Sequence, residues 1–159
     1  MLEHFKKDVA IDETILRKNW RGDWKNFYRN HLGFSDAEIK KSIEVFRGLK
    51  GEEYLPPLAK GIKEVLANLA EDFTLVIVSS GYTENIKPVL RNNGIDELFS
   101  KVYGSSELSG FAKSQPEVFQ IPIKELNLMR EKTYTVGDSI DDIRTARIVG
   151  LPVIACTWG

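Results

Sequence analysis

Residues 134–143, YTVGDSIDDI, lead from an apolar strand pattern through a glycine and three carboxylates into a helix pattern, and they decide the fold. Residues 132–136 are short, β-branched and aromatic, which predicts a buried strand. Gly137 permits an abrupt exit from that strand, and Asp138 or Ser139 can cap the helix that follows. Such a strand-to-helix unit is typical of an α/β sheet that binds its ligands at the carboxyl ends of its strands.

Two acidic side chains of this unit are candidate metal ligands. Asp138 and Asp142 are four residues apart across the turn, so their carboxylates can face one point. Oxygen ligands in a tight cluster suit a hard cation such as Mg²⁺. The alternative is structural, with Asp141 and Asp142 complementing the helix dipole and Asp138 capping the helix. The residues alone leave both interpretations open.

The composition predicts one globular domain with room for a small appendage. The chain has 159 residues, of which 42% are apolar, and a net charge of -1. Its basic residues form no stripe, which argues against a nucleic-acid partner. The apolar runs are far shorter than the roughly 20 residues that cross a bilayer, so we expect no membrane association. The lone Cys156 permits no internal disulfide, and we expect a cytoplasmic location.

The N-terminal third of the sequence predicts a small helical unit. Apolar residues recur at three- and four-residue spacing over residues 12–32, with an interruption near Gly22. Residues 35–38, SDAE, form a capping box that opens a second helix. Residues 51–57 have the composition of a linker, and we place the domain boundary near Glu53.

Beyond this boundary helix and strand patterns alternate, which predicts a parallel sheet. The expected strands cover residues 73–79, 101–103, 132–136 and 152–157. A helix is expected over residues 58–69, and Thr83 can cap the next one, which Asn93 and Gly94 end. Pro116 is expected to open another helix, and Pro122 to kink or end it.

Two further stretches place single polar residues beside predicted elements. Residues 75–81, LVIVSSG, form a buried strand that ends in the hydroxyl of Ser79. In isolation, this serine is best interpreted as a helix cap or turn residue. Residues 110–119, GFAKSQPEVF, place Lys113 three residues before the proline that opens a helix. In isolation, this lysine is best interpreted as a solvated surface charge.

Taken together with the opening stretch, these segments resemble the haloacid dehalogenase (HAD) superfamily of hydrolases, particularly its phosphoglycolate-phosphatase-like members. Ser79 matches the family's phosphate-binding Ser or Thr, and Lys113 matches its lysine motif. Asp138 and Asp142 match its acidic motif. One departure is a serine where the family usually has a proline directly after the lysine. The resemblance extends over residues 54–159.

The resemblance implies a Rossmann-like parallel sheet over residues 54–159, with a helical cap at residues 1–53. It also implies that Asp138 binds Mg²⁺ and that Asp142 ligates the ion or orients its shell. Lys113 would balance negative charge as a catalytic residue, together with Ser79. The implied phosphate-binding set is Ser79, Ser80, Gly81 and Lys113. In the cap, Trp20, Arg21 and Trp24 are candidates to close over a substrate, although packing is the better interpretation of the tryptophans.

The family's nucleophile motif has no counterpart in this sequence. In the family, a strand ending in Asp-x-Asp-Gly-Thr lies between the strands that correspond to those of Ser79 and Asp138. No Asp-x-Asp occurs in the chain, so we expect a gap in the sheet. We interpret the chain as an incomplete copy that lacks the nucleophile strand and the C-terminal end of the core. The alternative is a natural non-catalytic relative.

The function implied by the resemblance is Mg²⁺-dependent hydrolysis of a small phosphorylated metabolite through a phosphoaspartyl intermediate. The chain as it stands is expected to be inactive. The alternative is a phosphate-binding or protein-interaction module of the same fold. Dehalogenation at carbon is disfavoured because Asp138 and Asp142 supply a metal motif. The sequence leaves the substrate and the oligomeric state open.

Overall fold

The computed structural model describes residues 4–10, 12, 14–15, 24–48 and 56–157. The chain divides into two units, Met1–Leu49 and Lys50–Gly159. Helix α1, Trp24–Leu32, and helix α2, Asp36–Gly48, belong to the first unit. The predicted interruption near Gly22, together with Trp20 and Arg21, lies outside the described residues.

The capping box at the start of α2 is confirmed. The Ser35 hydroxyl accepts a hydrogen bond from the Glu38 main-chain N–H at 3.3 Å, and the Glu38 carboxylate accepts one from the Ser35 N–H at 2.8 Å. This reciprocal pair satisfies two main-chain donors at the helix N-terminus. Lys7 forms an ion pair with the same carboxylate at 2.9 Å.

Aromatic side chains dominate the core of the first unit. Its buried members are Phe27, Leu32, Phe34 and Ile39. Trp24 packs against this cluster and meets the Tyr28 ring edge-on, with ring centroids 5.2 Å apart. Trp24 is therefore a packing residue of this unit, as the helical spacing of the tryptophans indicated.

The second unit alternates helices and parallel strands, which confirms the predicted α/β fold class. Its elements are α3 (Ile62–Asp72), β1 (Leu75–Val78), α4 (Thr83–Asn92), β2 (Phe99–Tyr103), α5 (Glu117–Glu125), β3 (Thr135–Gly137), α6 (Ile140–Ile148) and β4 (Val153–Ala155). Short 3-10 turns cover Asp96–Leu98 and Arg130–Lys132. The buried core of this unit consists of Tyr103, Leu108, Val118, Phe119, Ala146, Val149 and Leu151.

The strands of this unit form two separate parallel pairs within residues 56–157. In the first pair, β1 lies beside β2, with Val78 opposite Tyr103. In the second pair, β3 lies beside β4, with Gly137 opposite Ala155. No described strand pairs with the other edge of β1 or of β3.

The prediction that residues 132–136 form a buried strand is wrong in two respects. Lys132 belongs to a 3-10 turn, and the strand begins only at Thr135. Tyr134 and Val136 are 55% and 63% exposed. The β-branched pattern identified a strand, but the burial of a strand depends on whether neighbours cover it, and one edge of β3 has no neighbour among the described residues.

Two helix-terminus predictions also need correction, whereas a third is confirmed. Thr83 does not cap α4, because Tyr82 occupies the N-cap position and Thr83 is the first helical residue. Pro122 does not end α5, which continues to Glu125 with the proline buried inside it. The predicted stop of α4 is confirmed, since Gly94 adopts the left-handed conformation at φ 61°.

Candidate functional site

The turn between β3 and α6 places the acidic residues. Ser139 is the N-cap of α6, and its hydroxyl accepts a hydrogen bond from the Asp142 N–H at 3.1 Å. The same hydroxyl donates to Asp142 Oδ2 at 2.7 Å. Asp138 therefore does not cap the helix, whereas Asp142 completes a capping box. Asp142 therefore stabilises the N-terminus of α6, in addition to any role as a metal ligand.

Gly137 is required by the close approach of β3 to α6. A Cβ on Gly137 would lie 2.7 Å from Asp142 Cβ and 2.9 Å from Asp142 Oδ2. Any side chain at position 137 would therefore displace the Asp142 carboxylate. The glycine that we interpreted as an exit from the strand has this second role.

Asp142 also forms an ion pair with Lys113. The Lys113 Nζ lies 2.9 Å from Asp142 Oδ1, and the Asp142 residue is only 6% exposed. Burial acts to raise the pKa of Asp142, but hydrogen bonds from Ser139 and Lys113 and the Lys113 charge act against it. The net effect lowers the pKa below its ordinary value of 3.8. Asp142 is therefore a carboxylate at neutral pH, held by partners on both oxygens.

Thr145 fixes the main chain at Lys113. Its buried hydroxyl donates to the Lys113 carbonyl oxygen at 2.7 Å, across 32 positions of sequence. Helix α6 therefore orients Lys113 twice, through Asp142 and through Thr145. The sequence analysis missed Thr145, because no local pattern marks a helical threonine that bonds to a distant loop.

Lys113, Asp138 and Asp142 line one cavity with an empty volume of about 740 Å³, which includes space open to solvent. Its apolar wall includes Val76, Val78, Phe119, Ile123, Leu128 and Leu151. Asp138 is exposed, and no other described residue forms a hydrogen bond or an ion pair with its carboxylate. The cavity thus contains the Asp138 carboxylate, which is available to a ligand, beside the preorganised Lys113–Asp142 ion pair.

The predicted phosphate loop follows β1 directly. The Ser79 N–H donates to the Tyr103 carbonyl at 2.9 Å, which fixes the end of the strand beside β2. The Ser79 hydroxyl accepts from the Gly81 N–H at 3.1 Å, which leaves its own proton available to a ligand. Ser79, Ser80 and Gly81 are not among the residues that line the cavity of Lys113 and Asp138.

Glu107 ties this loop to the segment after β2. Its Oε2 accepts hydrogen bonds from the buried Thr83 hydroxyl and from the Gly104 N–H, the latter at 3.1 Å. The hydrogen bond from Thr83 is the largest influence on the pKa of Glu107 and lowers it, against the effect of burial. The Ser105 N–H also donates to the Gly81 carbonyl at 2.8 Å. No local pattern in the sequence marks Glu107, which is 24 positions from Thr83.

The side chains at the cavity fit a hard divalent cation. Asp138 and Asp142 offer only carboxylate oxygens, which Mg²⁺ prefers. In the described ranges no three His, Cys, Asp or Glu side chains are grouped to hold a metal ion. Mg²⁺ commonly binds through one or two carboxylates and keeps several waters, so a smaller donor set is sufficient. Because both Asp142 oxygens already have partners, Asp138 is the better candidate for the direct ligand.

Comparison with known protein families identifies the family of the chain. The sequence model of the haloacid dehalogenase-like hydrolase family matches residues 12–156. The chain belongs to this family. The HAD resemblance inferred from the three stretches is therefore confirmed.

The curated relatives of this HAD chain include phosphatases. A phosphoglycolate phosphatase from Haemophilus influenzae is 30% identical over 172 residues, which cover 99% of this chain and 75% of the relative. A phosphoglycolate phosphatase from Salmonella typhimurium is 31% identical over 163 residues, covering 96% of this chain and 63% of the relative.

Solved structures of HAD proteins share the fold. A haloacid dehalogenase-like hydrolase from Streptococcus pneumoniae superposes with a TM-score of 0.82 at 20% identity, covering 99% of this chain and 73% of that one. A predicted phosphoglycolate phosphatase from Haemophilus somnus 129pt gives 0.78 at 26% identity, with coverages of 99% and 75%. Among the helices of the described ranges, none combines the length and apolar character needed to cross a membrane.

Proposed function

We propose that this chain carries the metal- and phosphate-binding part of a Mg²⁺-dependent phosphatase of the HAD type, acting on a small phosphorylated metabolite. The observation that carries the proposal is the cavity in which the Lys113–Asp142 pair lies together with Asp138. A cation and an available carboxylate on one wall suit an anionic, metal-bound ligand better than an apolar one. The phosphatase relatives support the same reaction class.

The proposed roles follow from the contacts of each side chain. Lys113 has further N–H donors beyond the one directed at Asp142, and these would hold a phosphoryl oxygen. Asp142 would keep the ammonium in place, and Thr145 would fix the main chain behind it. Ser79 would donate its hydroxyl proton to a phosphoryl oxygen. Each of these groups would hold the phosphoryl group in a fixed position before it reacts. Such positioning supplies most of the rate enhancement in phosphoryl-transfer enzymes.

Asp138 is the residue that would hold Mg²⁺, with Asp142 orienting the surrounding shell. When bound, Mg²⁺ would neutralise negative charge on the phosphoryl group.

The proposed reaction requires a nucleophile from outside residues 1–159. The chain contains no Asp-x-Asp sequence, and the family's route through a phosphoaspartyl intermediate needs the first of those aspartates. The same absence favours the second candidate function, a phosphate-binding or interaction module without turnover. The two candidates predict different results once a nucleophile strand is supplied.

The test compares the 159-residue chain with one extended at its N-terminus by a strand that ends in Asp-x-Asp-Gly-Thr. Hydrolysis of an aryl phosphate is measured for both with and without Mg²⁺. We expect no turnover from the shorter chain and Mg²⁺-dependent turnover from the extended chain. In the extended chain, Asp138→Asn should lower kcat/KM by about 10²-fold or more, the usual cost of losing one preorganised charge contact.

Asp141→Asn is the matched control, because it removes a neighbouring carboxylate that does not line the cavity. It should leave kcat/KM of the extended chain nearly unchanged. Turnover by the shorter chain that Asp138→Asn abolishes would contradict the proposed external nucleophile. A folded extended chain that binds Mg²⁺ and stays inactive would favour the non-catalytic module.

A further inference from the structure

The phosphate loop, residues 79–81, is held in place by the segment that follows β2. Tyr82, the N-cap of α4, makes no side-chain cap hydrogen bond at the point where the loop enters the helix. The Gly81 carbonyl instead accepts a hydrogen bond from the Ser105 N–H at 2.8 Å. The conformation of the loop therefore depends on residues more than 20 positions further along the chain.

Glu107 joins the first turn of α4 to the end of β2. Its Oε2 atom accepts hydrogen bonds from the buried Thr83 hydroxyl and from the Gly104 N–H, the latter at 3.1 Å. Hydrogen bonds to an ionised acceptor are roughly twice as strong as those between neutral groups. Because Thr83 is the first residue of α4, the carboxylate also complements the positive end of the helix dipole.

Gly104 allows these two segments to approach closely. A Cβ on Gly104 would overlap the Thr83 hydroxyl and would lie 2.8 Å from the Gly81 carbonyl oxygen. Any side chain at position 104 would therefore displace either the phosphate loop or the start of α4. The glycine and Glu107 together select one position of the loop relative to β2.

The Ser79 hydroxyl depends on that position. It accepts a hydrogen bond from the Gly81 N–H at 3.1 Å, so its own proton must point elsewhere. If Gly81 moved, the hydroxyl would be free to rotate, and its proton would no longer be directed at one point. Glu107 thus acts on Ser79 through Thr83 and Gly81.

We infer that Glu107 is a positioning residue for phosphate binding, which holds the start of α4 so that Ser79 and Gly81 keep the conformation that receives a phosphoryl oxygen. This role rests on the proposed function, which supplies the ligand of the loop. Charge alone predicts the opposite effect, because a carboxylate near a phosphate site repels the anion. Removal of Glu107 therefore distinguishes positioning from repulsion by the sign of the change in affinity.

The test measures binding of inorganic phosphate to the 159-residue chain, without metal, by the amide NMR shifts of residues 79–83. Thr83→Val removes the hydroxyl without changing any charge, and it should raise Kd by about fivefold or more through the lost hydrogen bond to a charged group. Thr83→Ser keeps the hydroxyl and should restore most of the affinity. Equal Kd values for these two variants would overturn the inference.

Glu107→Ala should also raise Kd by about fivefold or more, although it removes a negative charge. Glu97→Ala is the matched control for that charge. Glu97 precedes β2, a strand of five residues that is roughly 16 Å long, so its charge is largely screened from the loop. Tighter phosphate binding by Glu107→Ala would overturn the inference in favour of repulsion.

A local effect is separated from unfolding by the amide signals of β3 and α6, which should keep their positions in every variant. Shifts there as large as those in the loop would overturn a positioning role. If the unaltered chain bound no phosphate, the proposed function would fail at this loop, and the role of Glu107 would fail with it. Binding that Thr83→Val and Glu107→Ala leave unchanged would overturn the role of Glu107 alone.

Discussion

A Cβ atom on Gly137 would stand 2.7 Å from the Cβ of Asp142, a separation at which one of the two residues must move. We therefore expect Gly137→Ala to reduce the free energy of unfolding by about 1–3 kcal/mol, the usual cost of overpacking a tight contact. Urea denaturation followed by circular dichroism measures the change. Gly81→Ala is the matched control, because its nearest side-chain atom, Ser79 Oγ, would lie at an ordinary 3.4 Å. Equal stabilities for the two variants would contradict the contact.

The lowered pKa of Asp142 predicts a specific dependence of stability on pH. A carboxyl whose pKa is lower in the folded state stabilises the fold above its unfolded pKa, and this contribution is lost as the pH falls through the folded value. Asp142→Asn should lower the free energy of unfolding by about 1–3 kcal/mol at neutral pH, through the lost charged hydrogen bonds. The difference from the unaltered chain should shrink as the pH falls below 3.8, the ordinary pKa. A difference that stays constant into strong acid would refute the assignment.

Local signals account for what the sequence predicted correctly. The Ser35–Glu38 capping box needs only the spacing of two residues, and it is present. The strands after residue 73 carry runs of β-branched residues, and Gly94 and Gly150 end helices in the left-handed conformation that glycine adopts most readily. For the Ser35–Glu38 box and the two glycine helix ends, neighbours within a few positions were sufficient.

Contacts between distant segments explain what the sequence did not reveal. The Thr83 hydroxyl was expected to cap its own helix but instead bonds to Glu107, and Thr145 bonds to the main chain of Lys113. The burial of Val136 depends on which strands flank β3, and the residues of β3 itself do not indicate its neighbours. The Lys113–Asp142 pair could be anticipated only because the family resemblance placed both residues at one site.

Glu38 provides a pKa prediction that is independent of the candidate site. The Ser35 N–H, the Lys7 side chain and the Ser35 hydroxyl lower the pKa of Glu38 to about 2. Carboxyl carbon NMR should therefore find its titration midpoint far below the ordinary 4.5. Lys7→Met should raise the midpoint without restoring the ordinary value, because the Ser35 N–H remains. The stabilisation that this carboxylate gives α2 should be present above pH 4.5 and lost as the pH falls towards 2. A midpoint near 4.5 would contradict the capping box in solution.

Thr83 and Glu107 should be energetically coupled, because the Thr83 hydroxyl is buried and donates to the Glu107 carboxylate. A double-mutant cycle with Thr83→Val and Glu107→Gln measures the coupling by urea denaturation. We expect an interaction free energy of about 0.5–3 kcal/mol, the range for residues in direct contact. Glu97→Gln in the same unit is a control for the loss of one negative charge. Additive effects of the two substitutions would show that the contact contributes nothing to stability.

Metal binding at Asp138 can be tested without turnover, by using Mn²⁺ as a paramagnetic substitute for Mg²⁺. Bound Mn²⁺ broadens NMR signals near it, so we expect selective loss of the amide signals of residues 137–142. Mg²⁺ should compete and restore them. Asp138→Asn should weaken Mn²⁺ binding by about tenfold or more, because it removes the one cavity carboxylate with no partner among the described residues.

Asp142→Asn should affect Mn²⁺ binding less than Asp138→Asn does, since both Asp142 oxygens already accept hydrogen bonds from Ser139 and Lys113. Asp141→Asn is the control for a nearby charge outside the cavity lining and should have the smallest effect. The reverse order, with Asp142→Asn the most damaging while the chain remains folded, would make Asp142 the direct ligand. It would also mean that Lys113 must leave Asp142 when the metal binds, because the carboxylate oxygen that now faces the ammonium would then face the cation.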